Sequence, residues 1–140
     1  MALLAHLKFG DNTFGRYTKE YSALSVKCSF AREYSGIRPG SFVRSIIFKI
    51  ELIAPEAVDL DLYSWYIDKD IREGCIEMEE SSGKDFVHVR TIEFENAICC
   101  GFSEIFDVSE KQRRKLVLEF SATAAKTEGL DIICQKRLLL

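Results

Sequence analysis

At 140 residues, with 47% hydrophobic and 29% charged side chains, the chain fits one domain. A chain of this size buries roughly 68–70% of its unfolded surface and needs neither a metal nor a disulfide to fold. A net charge of -3 with both signs mixed along the chain argues against a nucleic-acid binder, and no run of about 18 apolar residues is present to cross a membrane as a helix.

The chain reads mainly as β-strands. The N-terminal segment places Leu3, Ala5, Leu7 and Phe9 on one face. His6 and Lys8 interrupt it too early for a signal peptide, so the expectation is a protein made in a reducing cytosol. Gly10-Asp11-Asn12 predicts the turn of a first hairpin. Residues 24–30 set Leu24, Val26, Cys28 and Phe30 against polar neighbours, and residues 46–52 set Ile46, Phe48, Ile50 and Leu52 against Lys49 and Glu51. A period of two puts each set on one pleat face, as in a half-buried strand.

Between those two strands, Tyr34 to Phe42 is too long for a tight hairpin and carries Tyr34, Ile37, Arg38, Pro39 and Phe42, with Arg44 just beyond. Aromatic and Arg side chains dominate interface hot spots. The segment therefore reads as a docking loop, the alternative being a loop folded onto its own barrel.

After Pro55 the period changes. Val58, Leu62, Trp65, Tyr66 and Lys69 recur at helical spacing, with Asp59 as N-cap and Asp61 adding negative charge in the first turn. This predicts one helix over 58–69, anchored on the barrel by Leu62, Trp65 and Tyr66. Glu73-Gly74 starts the next strand (Ile76 and Met78 against Glu77 and Glu79), and Ser81-Ser82-Gly83-Lys84 closes a hairpin. In residues 86–95, Val87 and Val89 lie on the face opposite Ile92 and Phe94. That predicts either a strand covered on both sides, by the fold or by a partner, or a local bulge. Arg113-Arg114-Lys115 reads as a charged strand end that discourages edge pairing. Residues 116–124 alternate again, with Leu116, Leu118, Phe120, Ala122 and Ala124 on one face. The predicted fold class is mainly β: a small antiparallel β-barrel, two packed sheets, with one short flanking α-helix.

No catalytic, cofactor or metal constellation emerges. His6 and His88 are far apart, and the five cysteines show no C-x-x-C spacing, so they read as small buried hydrophobes. Cys99 and Cys100 point to opposite faces of a strand. Glu77, Glu79, Glu80, Glu93 and Glu95 read as solvated strand faces. There is no P-loop, G-x-G-x-x-G or nucleophile elbow.

One stretch carries a family resemblance: Phe94-Glu95-Asn96-Ala97, four residues, Phe102-Ser103-Glu104, one residue, Phe106-Asp107. It resembles the Bacteroidetes-type branch of the type VI secretion tube proteins, the Hcp (TssD) family. Arg38-Pro39 with Val43-Arg44 is similar to that family's extended loop, and Asp59-x-x-Leu62-x-x-Trp65 to its helix. Arg72-Glu73-Gly74-Cys75-Ile76 is similar to its post-helix turn, and Phe120-Ser121-Ala122 to its late strand. Together these cover about residues 2–125 of a single tube domain spanning 1–140.

The resemblance implies a structural, non-catalytic subunit without cofactors, forming homo-hexameric rings that stack into a tube within a contractile sheath, tipped by a spike. It implies effector cargo in the lumen, no nucleic acid, no membrane insertion, and export from the bacterial cytoplasm without a cleaved signal peptide. The extended loop would reach an adjacent subunit or ring. The alternatives are an effector-binding adaptor or chaperone ring, and the tail tube of a phage-like contractile particle. Two departures stand out. Ile37 and Phe42 replace small loop residues, and residues 126–140 form an extension that reads as an added strand, a subunit contact or a flexible end.

Overall fold

The computed structural model describes residues 4–35, 38–56, 59–81, 87–109 and 114–134; for 32–35, 38–44, 81 and 87 the backbone alone is described. The elements run β1 (Ala5–Asp11), β2 (Arg16–Ser35), β3 (Arg38–Ile53), α1 (Asp61–Asp68), β4 (Arg72–Ser81), β5 (Val87–Phe106), β6 (Arg114–Ala122), β7 (Ala124–Thr127) and β8 (Leu130–Ile133). All strand pairs are antiparallel, in the order β4-β1-β2-β3-β6-β5-β7-β8, with a further pairing of β4 to β5. That last pairing closes β1-β2-β3-β6-β5-β4 into a ring of strands. The predicted barrel is thus present, and its two layers belong to one continuous sheet.

Alternation sets the core. Phe48 lies opposite Cys28 on one side and Phe120 on the other, and Ile50 lies between Val26 and Leu118. Phe48, Ile50, Leu118 and Phe120 are fully buried, and no charged residue is buried among the described residues. Phe48 stacks on Phe120 at 4.9 Å, Phe94 tilts onto Phe120 at 4.8 Å, and Phe9 meets Trp65 edge-on at 5.0 Å. Each such side chain contributes about 1.5–3 kcal/mol by leaving water.

Two alternating positions do not stay inside. A bulge between Ala23 and Ser25 turns Leu24 out, and Phe30 lies near the end of the ring, where both remain over two-fifths exposed. The cysteines divide as well: Cys75 and Cys99 are buried, Cys28 and Cys134 partly so, and Cys100 is exposed on the far face from Cys99. The prediction of uniformly buried thiols fails at Cys100.

The charged start of β6 also has a different role from the predicted one. β6 pairs with both β3 and β5, so it offers no edge to protect. Arg114 instead donates to the Pro55 carbonyl at 2.7 Å and lies 3.5 Å from Glu104, while Lys115 lies 3.6 Å from Glu51. Arg113 falls outside the described residues.

The helix is shorter than its pattern, and Val58 is outside the described residues. Leu60, not Asp59, stands at the N-cap, without a side-chain cap. Asp59 accepts the Asp61 N–H at 2.9 Å, which closes a turn just ahead of the helix. Lys69 ends it in the left-handed conformation, φ 56°. Leu62 and Trp65 are buried as predicted, but Tyr66 is 47% exposed. An eight-residue helix buries a single narrow edge, and that edge runs through Leu62 and Trp65. Tyr63 takes the place foreseen for Tyr66: its ring meets Phe102 at 4.5 Å and its hydroxyl donates to Glu104.

Candidate functional site

The residues singled out from the sequence fall on three features: the helix latch, the extended β2–β3 hairpin and the long strand β5. The latch begins with Arg72, placed by the first residue of β4. Its guanidinium donates to both carboxylate oxygens of Asp61, at 2.7 and 3.0 Å, in the planar fork geometry that suits Arg. The same group lies 5.1 Å from the Phe9 ring centre and 5.2 Å from that of Trp65. Tyr21 completes the contact, donating to Asp59 at 3.2 Å or Asp61 at 3.3 Å. Burial, and then the Asp61 and Asp59 charges, hold the Tyr21 hydroxyl well above its ordinary range.

Hydrogen bonds from Arg72 hold the Asp61 carboxyl below the usual carboxylate range. A depressed carboxylate adds stability above its unfolded pKa of about 3.9, and that contribution disappears as pH falls through the lower folded value. Asp61→Asn is therefore expected to flatten the acid limb. In urea titrations between about pH 4 and pH 2, wild type should lose stability more steeply than the variant. Parallel pH profiles would show that the pair contributes nothing.

The predicted docking loop is not a loop. β2 and β3 remain paired through Arg32 opposite Val43, Tyr34 opposite Pro39 and Ser35 opposite Arg38, with register shifts near Arg32. Antiparallel pairing started in the barrel simply propagates outward, because each added pair satisfies backbone groups that water alone would otherwise serve. Ile37 lies outside the described residues, as do the side chains of Tyr34, Arg38, Pro39, Phe42 and Arg44. The hairpin extends beyond its neighbours: β1 pairs with β2 no further than Ala23, and β6 meets β3 only from Ile46 onward.

β5 is a single strand of 20 residues. Its first part pairs with β4 and its last part with β6, and Asn96 between them takes φ 52°. The left-handed residue leaves Glu95 and Asn96 both outside, so Phe94 and Ala97 can both point in, each fully buried. Phe102 packs against the core, but Phe106 is 64% exposed, so not every phenylalanine of the stretch lines the barrel. Val87 pairs with Ser81, its side chain outside the described residues, while Val89 is 50% exposed. The fold does not cover Val89.

Among the described residues, no three His, Cys, Asp or Glu side chains form a group able to hold a metal. His6 lies 3.3 Å from Glu20, and His88 lies 3.2 Å from Glu128 in the turn after β7. A groove of about 520 Å³ runs past Glu93, Glu95, Lys126 and Asp131. No helix among the described residues is long and apolar enough to cross a membrane.

The family model for hemolysin coregulated protein Hcp (TssD) matches residues 1–134. The chain belongs to the Hcp family. It is a structural tube subunit of the type VI secretion type, and the match includes most of the C-terminal extension. A search of curated proteins gives no match. Among solved structures the chain is similar to Hcp1 from Flavobacterium johnsoniae, with 18% identity, TM-score 0.72, and 93% of this chain and 98% of that one covered. That likeness agrees with the Bacteroidetes-type branch to which the motifs point. Hcp1 from Salmonella typhimurium gives 14% identity, TM-score 0.63, and coverage of 94% and 91%. A sheath–tube complex of an extracellular contractile injection system, PVC, gives 14% identity, TM-score 0.51, and coverage of 91% and 88%.

Proposed function

We propose that the chain forms six-membered rings that stack into the inner tube of a type VI secretion system, without catalysis, inside a contractile sheath and below a spike. The observation that carries this is the β2–β3 hairpin, which continues as a paired arm past the strands that flank it in the barrel. An arm on one side of a subunit meeting a different patch on the next is a heterologous contact, and such contacts close into rings when the rotation allows. The half-exposed Val89 gives a second apolar point for a neighbour to cover. The likeness to a sheath–tube complex supports the sheath as partner. Effector cargo in the lumen, synthesis in the cytoplasm and export through the apparatus complete the reading.

Purified protein is expected to form annular particles near six times 16.0 kDa, measured by light scattering and negative-stain microscopy. A monomer at high concentration overturns the proposal. Arg38→Ala combined with Phe42→Ala is expected to keep rings while shortening or abolishing stacks. If the double variant fails to fold, the arm belongs to the core and its assignment is wrong.

A further inference from the structure

β6 and β7 form one nearly continuous strand interrupted only at Thr123, and β5 lines one edge of it throughout. The other edge changes partner. It faces β3 up to Ile46 opposite Ala122, and from Ala124 opposite Ile133 it faces β8. The changeover is tight: the Cys134 N–H donates to the Thr123 carbonyl at 2.7 Å, and the Cys134 thiol lies 3.7 Å from the Ala122 carbonyl. A strand edge holds one partner at a time. Were β8 absent, the register of Ile46 on Ala122 would continue as Ser45 on Thr123 and Val43 on Ala125, zipping the arm onto the barrel wall.

We infer that the β7–β8 hairpin positions the arm: by occupying the second edge of β7, it keeps residues 38–45 off the barrel and presents them to a second copy of the chain. The presentation to a second copy rests on the tube reading above; the displacement of the arm does not. Among the described residues, β3 from Arg38 to Ser45 pairs only with β2, and at about 3.3 Å per residue this stretch reaches about 26 Å. β8 is held for the purpose at both ends. Glu128 and Gly129 turn with φ 50° and 80°, the positive pair of a two-residue hairpin, and Ile132 and Cys134 pack against the core. Residues 130–134 of the extension are thereby the added strand and its end, with a positioning role that its short pattern does not advertise.

The test uses full-length Ile132→Pro. The Ile132 N–H faces β7, as that of Cys134 does two residues on, so proline removes it from the ladder. Hydrogen exchange should then show alternate amides between Arg38 and Ser45 gaining about tenfold protection as the arm settles on β7, with slower tryptic cleavage at Arg44. A folded variant whose arm exchanges as in wild type overturns the inference. The turn variant Glu128→Val with Gly129→Val gives an independent route to the same measurement. If both variants unfold, β8 is part of the core and not a prop, which also overturns it. Failure of the wild-type protein to form rings would strike the tube reading alone, since arm exchange is compared between variant and wild type in the same assembly state, fixed by protein concentration.

Discussion

Trp65→Ala is expected to destabilise the protein by about 3–5 kcal/mol. Trp65 is fully buried, and its ring lies 5.0 Å from Phe9 and 5.3 Å from Phe120, the joint through which the helix reaches the aromatic core. Its indole N–H donates to the Asp70 carbonyl at 2.8 Å, and Arg72 lies over its face. Removing the ring leaves a cavity, an unpaired carbonyl and a guanidinium with one aromatic partner fewer. Trp65→Phe separates these losses: it keeps most of the packing and gives up the hydrogen bond, so about 1 kcal/mol of additional loss is expected from that bond. Urea titration followed by circular dichroism reads both variants. A Trp65→Ala midpoint within error of wild type would falsify the role of Trp65 as the helix anchor.

Gly74→Ala should act on the seam where the ring of strands closes. Gly74 lies between Phe9 of β1 and Phe94 of β5, and an added Cβ would stand 2.0 Å from the Lys8 carbonyl oxygen and 3.0 Å from the Phe94 ring. The first obstacle is backbone and cannot rotate away. β4 must move off β1, which costs about 3 kcal/mol, at the upper end of the usual overpacking range. The expected result is a large drop in denaturation midpoint with weakened amide protection on Leu7 and Ile76, which face each other across the seam. An alanine variant of native stability with unchanged protection would mean that the β1–β4 spacing is looser than described.

Much of the barrel was legible because the inward positions of β3 and β6 alternate without interruption, and a half-buried strand requires that. The helix was legible through Leu62 and Trp65, but its length was not. Leu60 and Lys69 look like ordinary helical residues, yet the Asp59 turn delays the start and the left-handed Lys69 ends the element. Tyr63 was missed in favour of Tyr66 because the two differ by less than one turn of helix, and sequence spacing does not fix how a short helix is rolled on its support. The arm was misread as a loop, since Pro39 and Gly40 weaken any strand pattern. Proline is tolerated in a strand where its missing N–H leaves no ladder bond unmade. The turn of β5 at Asn96 has a faint signal, Asn being among the few residues besides glycine that enter left-handed geometry readily. The β4–β5 pairing was signalled by the turn residues after Ser81, whereas the β1–β4 pairing that completes the ring has no local signal. The arm positions and Val89 could both be named from the sequence, whereas how far Val89 is exposed depends on what the folded barrel leaves uncovered.

The closed ring has a consequence for the order of events during synthesis. Ala5 in β1 is flanked by Ala23 on one side and Met78 on the other, so β1 is finished only when the later strand β4 returns to it. β4 in turn needs β5 as far as Ala97, and the ring needs β6, complete only at Ala122, to join β5 to β3. Until then a nascent chain exposes the bare flank of β1 to any other chain with an unpaired edge. Subunit assembly must therefore wait for a barrel that closes late.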